Sequence, residues 1–180
     1  MARRIKMMLL AGVVVPGVVA CGGSTEGAPT AEGGASDASA APVELWDPCT
    51  GISDEALKAS GVEAASEEKG IAGADQDGWE ICKWRSPRYS ITVFSTARTV
   101  QEFEQKPGNV EFQDVTVAGR AGRQFKVEGA SKDLLCDVLF PARQGVVQLR
   151  VSSSAIVKEP DDPCQVLYRV GESIVPELPR

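Results

Sequence analysis

Four cysteines spread over the last three quarters of the chain constrain its fold more than any other feature. An even number of cysteines in an exported domain is typical of a disulfide framework, and four cysteines allow three pairings. We favour Cys49–Cys82 with Cys136–Cys164, because each pair would tie a position beside a helix to a strand in the adjacent stretch of sequence. A four-thiolate zinc site is the alternative, but the chain has no Cys-x-x-Cys pair.

The N-terminus predicts export and a lipid anchor. Three basic residues precede an uncharged, mostly apolar run over residues 7–19, which is typical of a signal peptide and short for a membrane span. Residues 18–21, Val-Val-Ala-Cys, resemble the bacterial lipobox, with Val18 where leucine is most usual. The pattern predicts cleavage after Ala20 and attachment of diacylglycerol to the Cys21 thiol. An ordinary cleaved signal and an uncleaved N-terminal helix are the alternatives.

The stretch that follows the lipobox predicts a flexible tether. Residues 22–42 are glycine, serine, alanine, threonine, proline and a few acids, with no large apolar residue. Such a segment buries too little surface to offset the entropy cost of ordering it. We therefore predict a signal peptide over 1–20, a disordered tether with lipidated Cys21 over 21–42, and one domain over 43–180, which is long enough to bury a core.

Composition argues against two classes of function. The whole chain carries 19 basic and 25 acidic residues, and the predicted signal holds three of the basic ones, so the mature chain has a net charge of −9. This balance argues against nucleic acid as a partner. The chain contains no histidine, which excludes Ser-His-Asp and Cys-His catalysis and histidine metal sites. We expect a protein that is not an enzyme and that uses no metal or other cofactor.

Three features are candidates for a functional role. The acidic stretch 62–78 reads as a weak edge strand or a loop, and it could bind a cation or a partner or be a solvated surface loop. Asp133 and Asp137 flank Cys136 and are the acids to consider for carboxylate-based hydrolysis. Trp84 follows Cys82 by two residues, so it is expected to pack beside a disulfide, with a functional aromatic role as the alternative.

Periodicity and capping patterns predict an α+β fold. Helix starts are indicated at Ser53, at Thr99, and at Asp161 or Asp162 followed by Pro163. We expect an antiparallel sheet of about five to seven strands with two or three helices, the C-terminal helix packed on the sheet. Alternating apolar residues predict strands over 79–86, 89–96, 113–118, 123–128, 134–141 and 145–152, with a turn at 119–122.

These features together resemble a family of actinobacterial lipoproteins of unknown function. The residues that carry the resemblance are the lipobox and tether, Asp47-Pro48-Cys49, Cys82-Lys83-Trp84, Cys136 and Cys164. The resemblance covers residues 43–180, implies a cell-envelope protein, supports the disulfide pairing above and carries no catalytic residues. On element order, the chain also resembles the PsbP/Mog1-like α+β fold.

The sequence predicts a place for the protein more clearly than an activity. We expect a lipid-anchored protein at the extracytoplasmic face of the cell membrane, held through Cys21, whose domain binds an envelope protein or a small apolar ligand. This predicts an open groove or an exposed apolar patch. A carrier or sensor for an apolar envelope molecule, with a cavity inside the domain, is the alternative, and a carboxylate-based hydrolase is a more distant one.

Overall fold

The computed structural model of the chain describes residues 44–129 and 131–180. The predicted signal peptide, Cys21 and the tether lie outside the described residues, and so does residue 43, where the domain is predicted to begin. Within the described ranges, no helix is both long enough and apolar enough to cross a membrane.

A seven-stranded antiparallel sheet forms the framework, as predicted. The strands are β1 (Glu63–Lys69), β2 (Trp79–Arg85), β3 (Tyr89–Thr96), β4 (Asn109–Val117), β5 (Arg120–Val127), β6 (Leu135–Ala142) and β7 (Gly145–Ser153). Their order across the sheet is β1-β2-β3-β7-β6-β5-β4. Two meanders, β1 to β3 and β4 to β7, are therefore joined by the pairing of β3 with β7.

Four helices accompany the sheet, and the capping patterns locate three of them. They are α1 (Pro48–Gly51), α2 (Asp54–Ala59), α3 (Val100–Gln105) and α4 (Pro163–Ile174). Ser53 caps α2, Thr99 forms a capping box with Glu102 at α3, and the Asp162 carboxylate accepts hydrogen bonds from two backbone N–H groups of α4. Asp162 is thus the cap of α4, while Asp161 pairs with Arg88. The single turn α1 adds to the helices that the sequence indicated.

One face of the sheet is covered by α1, α2 and α4, and this side holds the larger hydrophobic core. The predicted disulfides are confirmed: Cys49–Cys82 joins α1 to β2, and Cys136–Cys164 joins β6 to the first turn of α4. Cys82 and Cys136 have no exposed surface. The C-terminal helix packs on the sheet as expected, and a Cβ added to Gly171 would lie 2.3 Å from the Val117 side chain, so this glycine permits the close approach.

The β4–β5 hairpin corrects one sequence prediction. The turn was expected at residues 119–122, but Val117 pairs with Arg120 and the turn is Ala118-Gly119, both with positive φ. Such two-residue turns match the twist of the strands that they join. β4 also begins at Asn109, four residues earlier than predicted, because Glu111 at φ 56° and an irregularity in the β4–β5 pairing interrupt the alternation from which the strand was read.

Candidate functional site

The second face of the sheet carries an apolar groove of about 400 Å³, open to solvent on one side. Strand alternation builds its floor, because every second residue of β2, β3, β5 and β7 points away from the helix-covered core. The residues around α3 and the loop that follows β1 form its sides. The groove is lined by Ile71, Gln76, Trp79, Ile81, Phe94, Phe103, Lys106, Pro107, Asn109, Phe125, Val127, Gln148 and Arg150.

Aromatic rings give this groove a defined wall. Trp79 meets Phe94 and Phe103 edge to face, with ring centroids 6.1 and 6.0 Å apart. Phe103 in turn lies 6.1 Å from Phe125, which is buried in a small core on this side of the sheet. Aromatic side chains offer large apolar contact area with few rotatable bonds, so the wall is suited to hold an apolar body.

A buried acid lies beneath the groove floor. Asp137 on β6 pairs in register with Arg150 on β7, and its side chain is fully buried. Arg150 Nε donates to Asp137 Oδ1 over 2.7 Å, and Gln148 Nε2 donates to the same oxygen. The other oxygen, Oδ2, has no hydrogen-bond partner among the described residues. The acid therefore fixes two groove-lining side chains while one of its own oxygens stays unpaired.

Burial sets the protonation of this acid. It raises the pKa of the Asp137 carboxyl above its ordinary value, while the Arg150 guanidinium, the hydrogen bond from Gln148 and the more distant Lys106 act in the opposite direction. Burial prevails because a charge on a carboxylate with an unpaired oxygen is poorly solvated in the interior. The folded protein thus holds the Asp137 proton to a higher pH than the unfolded chain does.

We expect the pH dependence of stability to show this effect. In the unfolded chain the carboxyl titrates near its ordinary pKa of about 3.9. The stabilisation from the retained proton is complete below that pH and is lost as pH rises through the higher pKa of the folded state. Urea denaturation of wild type and Asp137→Asn should show wild type losing stability relative to the variant between about pH 4 and pH 8. A difference that is constant, or that moves towards wild type with rising pH, would contradict the assignment.

The groove also presents two cationic side chains. Arg150 lies over the Phe94 ring at 5.3 Å from the guanidinium carbon to the centroid, and its side chain is 26% exposed. Lys106 follows α3 and lines the same groove. None of the residues that line the groove is acidic. The site therefore combines an apolar wall with positive charge, and Asp137 supplies a counter-charge from below.

The acids singled out from the sequence do not share a pocket. Asp133 is 94% exposed and lies 3.9 Å from Lys126, whereas Asp137 is fully buried with Arg150. The paired-carboxylate arrangement considered for hydrolysis is thus not formed by these two residues. Trp84 is fully buried in the helix-covered core, as its structural interpretation predicted, so it is not available as a surface aromatic.

The acidic stretch 62–78 divides into two parts. Its first half is β1, an edge strand with exposed acids, which discourage pairing with another chain. Its second half is a loop that borders the groove at Ile71 and Gln76. Among residues 44–129 and 131–180, the potential metal ligands that lie close together are Cys49, Cys82 and Glu67. The two cysteines are disulfide-bonded, so this group offers no thiolate to a metal.

The groove itself was not found from the sequence. Alternation places Trp79 and Ile81 on the face opposite Cys82 and Trp84, and this was the available signal. That face was expected to be the wetter one. It is apolar instead, because α3 brings Phe103 over the strands from a distant part of the chain.

The comparisons with known proteins give a family and no activity. A model of a family described as protein of unknown function (DUF3558) matches residues 16–177. No curated protein and no solved structure matches the chain. The likeness to the PsbP/Mog1-like fold therefore stays a prediction.

Proposed function

The chain belongs to the DUF3558 family of proteins of unknown function, and we propose that it is a lipid-anchored cell-envelope protein that binds a small apolar ligand without altering it chemically. The aromatic groove on the open face of the sheet is the observation that carries this proposal. Its volume of about 400 Å³ lies in the range of small-molecule sites, which are concave, mostly apolar and equipped with a few polar groups.

Binding fits this groove better than catalysis does. The chain has no histidine, and the charged residues lining the groove are Lys106 and Arg150. Asp137 is the nearest acid described at the floor, and it is covered by the side chains to which it is hydrogen-bonded. A general base must reach the proton that it removes, and a covered carboxyl does not. The open side of the groove favours exchange of a ligand with the surroundings.

The anchor is supported by the sequence. The lipobox at residues 18–21 and the tether over 22–42 would place the groove at the extracytoplasmic face, within reach of envelope molecules. Two or three acyl chains hold a protein stably on a membrane, whereas one does not.

Replacement of the predicted lipidation site should release the protein from the membrane. We expect Cys21→Ser to move the protein from the membrane fraction to the soluble fraction, as measured by fractionation and immunoblotting. Val18→Leu is the matched control, because leucine is the usual residue there and anchoring should persist. Retention of the Cys21→Ser protein in the membrane fraction would argue against this anchor.

Ligand binding can be tested with N-phenylnaphthylamine, a neutral apolar dye whose fluorescence rises on transfer from water. The chain to use is residues 21–180 with Cys21→Ser, so that neither lipid nor detergent competes. We expect saturable binding that Trp79→Ala weakens by roughly tenfold, the equivalent of one lost aromatic contact. Phe112→Ala is the control, because this ring stacks on Phe125 at 5.4 Å and does not line the groove.

A second variant guards against loss of folding. Ile71 is 55% exposed and borders the groove, so Ile71→Asp should cost little stability and place a charge at the groove mouth. It should weaken binding of the neutral dye in the same direction as Trp79→Ala. Binding that neither change affects would place the dye elsewhere, and an absence of saturable binding would overturn the proposal.

A further inference from the structure

We infer that the ligand of this groove carries one oxyanion head group, a carboxylate or sulfonate, beside its apolar body, and that Arg150 binds this head group. The inference rests on the proposed function and specifies the class of ligand. It follows from the charge of the groove, the geometry of Arg150 and the surroundings of Lys106.

The charge of the groove is opposite to that of the rest of the domain. Residues 44–180 contain 22 acidic and 16 basic residues, a net charge of −6. The charged residues that line the groove are nevertheless Lys106 and Arg150, with no acid among them. An anionic ligand is therefore repelled by most of the surface and attracted at this place, which gives the site selectivity as well as attraction.

Arg150 is held in position with hydrogen-bond donors to spare. Its Nε donates to Asp137 Oδ1, and its guanidinium lies over the Phe94 ring, so two contacts fix the plane of the group. Within the described part of the chain, its terminal nitrogens Nη1 and Nη2 donate to no residue. A fixed guanidinium presents parallel N–H groups that match the two oxygens of a carboxylate or sulfonate.

Asp137 orients Arg150 and neutralises it only in part. The acid lies below the floor and contacts one edge of the guanidinium, through Nε. Burial, which raises the pKa of this carboxyl, weakens the neutralisation further. The opposite edge of Arg150 belongs to the groove, where the side chain is partly exposed.

The acids near Lys106 are engaged elsewhere. Glu102 accepts hydrogen bonds from Thr99 in the capping box of α3, and Glu104 pairs with Arg123. Within the described residues, Lys106 forms no ion pair. The ammonium group therefore adds a second positive charge to the groove, which strengthens the attraction for one oxyanion.

A neutral or cationic ligand fits these groups less well. A wholly apolar ligand would cover the donors of Arg150 and leave them without acceptors, which is unfavourable in a desolvated site. A cation would face two positive charges. An apolar body with a single oxyanion fills the aromatic part of the groove and gives the free donors their acceptors.

Two dyes with one ring system test this inference. Anilinonaphthalene sulfonate differs from N-phenylnaphthylamine by its sulfonate. In fluorescence titrations of residues 21–180 with Cys21→Ser, we expect the sulfonate dye to bind more tightly. Arg150→Met should weaken the sulfonate dye by about tenfold or more, the loss of one charge-assisted hydrogen bond, and change the neutral dye by less than about twofold. Arg169→Met, on α4 and across the sheet, makes the same charge change and should affect neither dye.

The outcomes separate this inference from the proposal on which it rests. Equal affinity for the two dyes, with both unaffected by Arg150→Met, would overturn the oxyanion assignment and leave an apolar binding groove. Loss of both dyes in Arg150→Met would also overturn it, provided that the unfolding midpoint of the variant matches that of Arg169→Met. Failure of both dyes to bind the starting protein would overturn the proposed function itself.

Discussion

Replacing Cys136 and Cys164 together by alanine is expected to lower the free energy of unfolding by about 3–4 kcal/mol. The disulfide closes a loop with a sequence separation of 28 residues, and the chain-entropy model assigns about 3.6 kcal/mol to a loop of that length. The bond also joins β6 to the first turn of α4, the longest helix over the core. Its removal therefore frees both the unfolded chain and the N-terminus of that helix.

The second disulfide gives a matched comparison. Cys49 and Cys82 are separated by 33 residues, so the same model predicts a loss of about 3.8 kcal/mol for the double alanine variant. Urea denaturation of the two double variants and of the parent, all with Cys21→Ser, measures both values. Four free thiols in the unreduced parent, or double variants as stable as the parent, would contradict the disulfide framework.

Trp84→Ala is expected to destabilise the domain by about 3–5 kcal/mol, the usual cost of removing a large aromatic side chain from a core. Trp84 has no exposed surface and belongs to the core that also contains Cys82, its neighbour two residues along β2. The cavity left by the indole would lie between the sheet and its helices, where the close-packed surroundings relax only in part.

Trp84→Phe should cost much less, and the comparison isolates the indole N–H. Trp84 Nε1 is buried and has no acceptor among the described residues. A buried donor without a partner costs about 1–3 kcal/mol, so its removal offsets part of the lost packing. Urea denaturation measures both variants, and Asp133→Ala at an exposed position serves as a neutral control. A loss below about 1 kcal/mol for Trp84→Ala would show that this residue is not a core residue.

Features encoded locally were predicted well. The alternation of Val147, Leu149 and Val151 identified β7, and polar residues at helix starts identified α2, α3 and α4. The disulfide pairing followed from the positions of the cysteines beside helices and strands. These signals lie within a few residues of one another, so sequence reading can recover them without knowing the register of the sheet.

Features that depend on register were not predicted. The pairing of Asp137 with Arg150 arises from the β6–β7 alignment, which no local pattern specifies. The groove was missed for a related reason. Phe103 and Phe125 come from different elements, and α3 is too short to show an apolar stripe that would indicate which face of the sheet it covers. The candidate site is thus a product of tertiary structure.

The most direct test of the account is to find where an apolar ligand binds on the folded chain. Titration of ¹⁵N-labelled residues 21–180, with Cys21→Ser, with N-phenylnaphthylamine can be followed by amide chemical shifts. The account predicts that the perturbed amides cluster around Ile81, Phe94 and Gln148, on the strands beneath the groove. Perturbations centred on α4, or saturation of the dye without any change at these strands, would contradict the assignment of the open face as the binding face.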